Sequence, residues 1–316
     1  MLAIQKIAIE GLIDTINIFN ADGSGEKNGY NNHRFAKVNC FNVDFTSSRC
    51  IRHEMYKDLQ PRQPMMEEFQ KNYLKIAASE IGLIRGIMDA DKQLKRTSPL
   101  HVSDAYTVVD DIENIDDNSN QNGNYFKYIF SDQGICSRPI PSEKTTEKCK
   151  NSEKTKGNLM MFSRDNAHKR KQNLSAFLNI QNLQFIEQGI NQDRIVSDDD
   201  EKDFIKELQS TFKNFGVSND IKIENYNFIT AVSPTKIRGI LLNDEQIIAL
   251  VKSTISRLAH IDGQKTSSYL KSIRNSFVIK LLIQNEYDYT LAYSIEEFFK
   301  LLEKKKFTFV KFYKKV

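Results

Sequence analysis

"NDEQIIALVKSTISRLAHI" (residues 243–261), followed by "SFVIKLLIQN" (276–285), is the stretch on which the fold class turns. Asn243 stands three residues before Gln246, the capping-box spacing in which each side chain serves the other's backbone N–H. The first segment therefore reads as a capped helix and the second, rich in β-branched and aromatic residues, as a strand. Outward from this pair, "IKIENYNFITAV" (221–232) is a preceding strand and "SIEEFFKLLEKK" (294–305) a second capped helix. "KFTFVKFYKKV" (306–316) is a closing strand. Strands and helices alternate, so the fold class is α+β, an antiparallel or mixed sheet with helices packed on one face. A split βαβ, ferredoxin-like arrangement is the natural small template.

Towards the N-terminus, "SDDDEKD" (197–203) opens a helix, with Ser197 or Asp198 as cap and Phe204, Ile205 and Leu208 inward. "NLSAFLNIQNLQFIEQG" (173–189) has strand character through Leu178, Ile180, Leu183 and Phe185. Phe69, Tyr73, Ile76, Ala77, Ile81 and Ile84 recur at helical spacing and predict one helix over Met66–Ile87. At the start, Ile4, Ile7, Ile9, Leu12, Ile13, Ile16 and Ile18 predict a strand, with Gly11 marking a bulge or bend. Phe35, Val38, Phe41, Val43 and Phe45 suit a hairpin or a strand with irregular flanks. Asp110–Asn124 is acidic and lacks apolar periodicity, and "SEKTTEKCKNSEKTKGN" (142–158) is close to low complexity, so neither supports a core. The chain is expected to form a single domain over 1–316, with irregular insertions at about 20–65 and 106–175.

A net charge of +4 over 316 residues is too mild to argue for nucleic acid by itself, so the distribution matters. Cations gather at His33, Arg34, Lys37, Arg49, Arg52 and His53, again at Arg85, Lys95 and Arg96, and again between Lys144 and Lys171. Tyr30, Phe35, Phe41 and Phe162 lie among them, a pattern that suits a phosphate backbone with splayed bases. In "QLKRTSPL" (93–100), Pro99 holds Ser98 extended beside Lys95 and Arg96, where hydroxyls and cations can grip a phosphate. Cys40, Cys50, Cys136 and Cys149 lack zinc-site spacing and are expected as reduced thiols. No apolar run is long enough for a membrane span and no secretory signal is visible, so a cytoplasmic location is expected. Enzyme signals are poor: Ser98, His101 and Asp104 do not sit on a nucleophile elbow, and "DGSG" (22–25) lacks the Lys and Ser/Thr of a P-loop. Asp89 and Asp91 read as a solvated turn before they read as a Mg²⁺ site. No cofactor or metal site is expected.

"RGIMDADKQLKRTSPLHVSDA" (85–105) resembles the segment after the first helix in CRISPR-associated backbone subunits, the Cas-seven group of the repeat-associated (RAMP) superfamily. "MMFSRDNAHKRKQNLSAFLNIQNLQFIEQG" (160–189) is similar to that family's basic loop leading into a central strand. The resemblance implies an RRM-like palm with inserted hairpin and thumb-like segments. It implies copies aligned head to tail along CRISPR RNA, beside other Cascade-like subunits, holding the spacer for pairing with target DNA. Variant type I-F or type IV systems are the nearest relatives it suggests. It places Lys95, Arg96 and Ser98, and also Arg164, His168, Lys169, Arg170 and Lys171, near the RNA backbone; Arg34, Lys37, Arg49 and Arg52 join them by charge alone. No catalytic residue is assigned. The alternative reading is a RAMP-type endoribonuclease acting on CRISPR or target RNA, for which Asp22, His33 and His53 are the available groups.

Overall fold

The protein is described by a computed structural model. The described residues are 2–16, 35–38, 41–59, 73–89, 94–108, 169–187, 198–229, 234–265, 268–283 and 291–316. The central strand is β1 (Leu2–Ile16), and its buried isoleucines explain why: Ile4, Ile7, Ile9 and Ile13 have no exposed surface. β1 lies between two other long strands, β8 (Lys169–Asn179) and β13 (Ser268–Ile283), and pairs antiparallel with both. The main sheet continues beyond β8 through β7 (Ala105–Thr107), β3 (Phe41–Thr46) and β2 (Phe35–Val38), and beyond β13 through β12 (Asp262–Lys265). Three short strands attach to this path. β6 (Leu100–Val102) pairs with β8, β14 (Leu291–Ser294) with β13, and β15 (Phe307–Phe309) with β1, the last in parallel. The mixed α+β class expected from the alternating pattern is the one observed.

Gly11 sits at an irregularity, as expected, but the extra residues belong to the partner strand. The register runs Glu10↔Val278 and then Leu12↔Ile273, so β13 bulges over 274–277 while β1 stays in step with β8. Ser276 Oγ accepts from the Leu12 N–H (2.7 Å) and donates to the Ile273 carbonyl (2.6 Å), which pins the bulge. Phe277 from the bulge lies against Gly11, where an added Cβ would stand 2.7 Å from the ring. Gly11→Val is therefore expected to destabilise the fold by about 1–3 kcal/mol, read as a lower urea midpoint at an unchanged slope. A midpoint equal to the parent's would show that the bulge can move aside.

Helices cover one face of the main sheet. Helix α1 (Ser48–Met55) contributes Cys50, Ile51 and Met55 to the core, although it falls within the expected 20–65 insertion. β8 likewise starts at Lys169, inside the expected 106–175 insertion. Of the single helix expected over Met66–Ile87, residues 66–72 lie outside the described ones, and the described part holds two helices, α2 (Tyr73–Ala78) and α3 (Glu80–Arg85), with Ile87 already in β4 (Ile87–Asp89). Ser79 breaks the run. Its backbone is extended, its hydroxyl donates to the Ile76 carbonyl, and its oxygen accepts from the Gly82 N–H. Gly82 lets the second helix fold back closely, since a Cβ there would meet the Ile76 carbonyl at 2.1 Å. The strand expected through 173–189 is also interrupted. Asn179 caps a short helix, α4 (Ile180–Gln184), because its side chain accepts from the Asn182 N–H, and β9 (Phe185–Glu187) follows.

Helix α5 (Asp198–Asn214) buries Phe204 and Leu208, as its pattern predicts, while Ile205 is only partly buried. Helices α6 (Asp244–Ala259) and α7 (Ile295–Glu303) both carry complete capping boxes, Asn243 with Gln246 and Ser294 with Glu297. The closing segment splits between two sheets. β15 joins β1, whereas β16 (Tyr313–Lys315) joins a four-stranded antiparallel sheet with β10 (Ile223–Phe228), β11 (Thr235–Leu241) and β9. β4 pairs with β5 (Leu94–Arg96) as a separate hairpin.

Candidate nucleic-acid interface

Along β8 the exposure alternates: Lys171, Asn173 and Ser175 are exposed, whereas Gln172, Leu174, Ala176 and Leu178 are buried. Period two in a strand separates two faces, so the first set marks the face of the sheet that the helices leave open. Residues directly opposite in a ladder share a face, which maps it in rows. One row runs Lys280, Ala8, Phe177, His101 across β13, β1, β8 and β6. A second runs Ile273, Leu12, Asn173, Tyr106 and reaches Phe45 on β3. A third runs Lys271, Asp14, Lys171.

Aromatic rings therefore stand on this face. His101 and Phe177 stack with centroids 4.5 Å apart and planes 10° from parallel, and Lys6 Nζ lies 5.8 Å from the Phe177 centroid. Tyr106, exposed, lies 6.0 Å from Phe45 in a tilted pair. Four residues separate the two rows along β8, about 13 Å. Ser103 donates from its hydroxyl to the Ser175 carbonyl between them. The cations are only partly neutralised: Lys280 pairs with Glu10 at 2.6 Å and Lys271 meets Asp262 at 4.0 Å, while Lys6 has no ion pair among the described residues. Rings that offer π-faces beside ammonium groups can hold bases and phosphates without reading sequence.

The residues expected at RNA are dispersed by the fold. Lys171 is on the open face, and the backbones of Lys169 and Arg170 stand beside Ile16 and Thr15 at the same end of the sheet. The Arg96 guanidinium, expected at a phosphate, is partly buried and turned toward backbone carbonyls. Its Nε and Nη2 donate to the Leu83 carbonyl (3.2 and 3.1 Å), Nη2 also to the Asn182 carbonyl (3.2 Å), and Nη1 to the Phe185 carbonyl (3.1 Å). Burial pushes its pKa down to about 10, opposed by the nearby Tyr313. The Ser98 hydroxyl is similarly turned inward, shared between the carbonyls of Leu100 (2.7 Å) and Ile84 (3.0 Å). Lys95 pairs through its backbone with Met88 in the β4–β5 hairpin. Lys37 lies in β2. Arg34, Arg164 and His168 lie outside the described residues, as do Asp22 and His33.

Arg49 and Arg52 occupy α1, three residues apart, and Arg85 ends α3. Ser98, His101 and Asp104 do not form a triad: Asp104 Oδ1 accepts from the Ser48 N–H at 2.7 Å, while His101 stacks on Phe177. No group of three His, Cys, Asp or Glu side chains gathers at metal-binding distance among the described residues, nor is any described helix long and apolar enough to cross a membrane.

His101, Phe177 and Tyr106 were not among the expected contacts. The alternation over 171–178 shows that Phe177 shares a face with Lys171, a signal open to sequence reading. Nothing local places His101 and Tyr106 beside it. Residues 17–280 match the family model described as Type I-Fv CRISPR-associated protein Cas7fv-like. No curated protein matches the chain.

Proposed function

The chain belongs to the Cas7fv-like family of type I-Fv CRISPR-associated proteins, whose place is in the backbone of a CRISPR effector complex, and on that premise we propose that it coats CRISPR RNA through the open face of its main sheet. In this reading the whole chain is one elaborated RRM-like domain and the main sheet is its palm. The observation that carries the proposal is the His101–Phe177 stack, set on an open sheet face with Lys6 beside it and Lys171 two rows away. Bases rest on the rings and phosphates meet the lysines, so the subunit holds the strand without selecting its sequence. Specificity then belongs to the guide, which pairs with target DNA.

Copies that coat one strand must meet head to tail, and a contact of that kind leaves the assembly open to growth. Mixing RNA-free protein with RNAs of two lengths should give complexes whose mass, by light scattering, rises with RNA length. One protein per RNA at both lengths would reduce the protein to a single-site RNA binder and end the backbone reading.

A further inference from the structure

On the helix side of the sheet, three arginines stand together without acids of their own. α1 belongs to the layer that packs on the buried face, because Cys50, Ile51 and Met55 enter the core; Arg49 is exposed and Arg52 partly so. Arg85 ends α3 and is exposed. Arg257 on α6 ties the two helices: it donates to the Met55 carbonyl at the end of α1 and pairs with Glu80 at the start of α3 (2.7 Å). Among the described residues Arg49, Arg52 and Arg85 form no ion pair and no side-chain hydrogen bond, whereas the acids around them are engaged. Glu80 and Asp58 bind Arg257, Glu80 also accepts from Ser253, and Glu54 faces Lys57 (3.3 Å) and His53 (3.9 Å).

Arg49 and Arg52 lie about one turn apart on α1, and Arg257 holds the end of α1 beside the start of α3, the helix that ends in Arg85. Partial burial lowers the pKa of Arg85 first, and the charges of Arg52 and then Arg49 lower it further. Next to them the Tyr56 hydroxyl is buried with no hydrogen-bond partner among the described residues. Guanidinium forks match phosphate geometry, and a group of them without carboxylates is set up for an anion. A neighbour's acidic segment is the other class of anion available. The described acidic segment, the start of α5, is largely neutralised within the chain: Asp199 by Lys202, Asp203 by Lys206 and Glu201 by Arg238.

We propose that Arg49, Arg52 and Arg85 form a second phosphate site, on the helix side of the sheet, for a single nucleic-acid strand other than the guide on the open face. This extends the reading above but does not require the guide to sit where that reading puts it. The test takes the RNA-loaded assembly and a labelled oligothymidylate unrelated to the guide, followed by fluorescence anisotropy across a salt series. R49Q/R52Q/R85Q should weaken oligothymidylate binding about tenfold or more. It should also lower the magnitude of the log–log salt slope by roughly 2, three contacts at about 0.7 each. Guide content should match the parent and the thermal midpoint should stay close to it, because these side chains make no ion pair and no hydrogen bond among the described residues. An unchanged affinity and slope, or a parent that does not bind oligothymidylate, overturns the proposal. Loss of guide from the variant also overturns it, by putting the arginines on the guide itself. Normal nucleic-acid binding with an altered assembly mass would assign the cluster to an acidic segment of the next copy and overturn it too. If the parent carries no RNA, the proposed function fails separately, and the same salt series on RNA-free protein still reads the arginine site.

Discussion

Arg96→Met should unfold at a markedly lower urea concentration than the parent, with a loss of about 3 kcal/mol. The guanidinium of Arg96 stands where four elements meet: β5, the end of α3, α4 and β9. Its donors serve the carbonyls of Leu83, Asn182 and Phe185. Methionine fills much of the same volume but offers no donor. Three partly buried acceptors then lose a charge-assisted partner, at about 1–3 kcal/mol each when water cannot replace it. Arg96→Lys keeps the charge but has one compact ammonium, which cannot span the three carbonyls, so it should recover less than half of the loss. The opposite pattern, normal stability with weakened RNA binding, would return Arg96 to the surface role suggested by its neighbours in "QLKRTSPL".

Phe177→Ala with His101→Ala should produce the largest loss in RNA binding. A base stacked on an aromatic side chain contributes about 1–3 kcal/mol, so removing this one platform should weaken binding about 5- to 150-fold. Stacking releases no counterions. The salt slope should therefore stay that of the parent even as affinity falls, whereas Lys6→Ala should change the slope by roughly 0.7 and the affinity less. That contrast separates a ring that holds a base from a ring that merely fills surface. Filter binding at several salt concentrations reads both quantities. Retained affinity in the double variant would remove the open face from the RNA path, whatever the assembly does.

Local chemistry determined a good part of this protein. The capping boxes at Asn243–Gln246 and Ser294–Glu297 mark α6 and α7, because a cap is a contact between residues three apart. The apolar alternation of the first residues marks β1, and Gly11 marks the place where a ring must approach the backbone. The mixed α+β class follows from the order of such segments. The tertiary structure alone decided which residues meet. Apolar spacing runs unbroken through Ser79, yet the helix ends there because Ser79 and Gly82 satisfy and shorten the turn against Ile76. Leu178, Ile180, Leu183 and Phe185 look like one strand, but Asn179 can cap a helix, and the junction with the second sheet needs that turn.

The site shows the same division. The cations of "QLKRTSPL" and of α1 are equally visible in the sequence, but the Arg96 guanidinium is taken up by backbone carbonyls while those of Arg49 and Arg52 form no hydrogen bond or ion pair among the described residues. His101 and Phe177 become neighbours only through the β6–β8 pairing, across 76 positions of chain. Helix and strand are set by contacts a few residues long, which one sequence displays. Strand order, register and the satisfaction of buried carbonyls depend on partners distant in the chain, and they decide whether a charge or a ring ends as part of the frame or as part of the surface that binds.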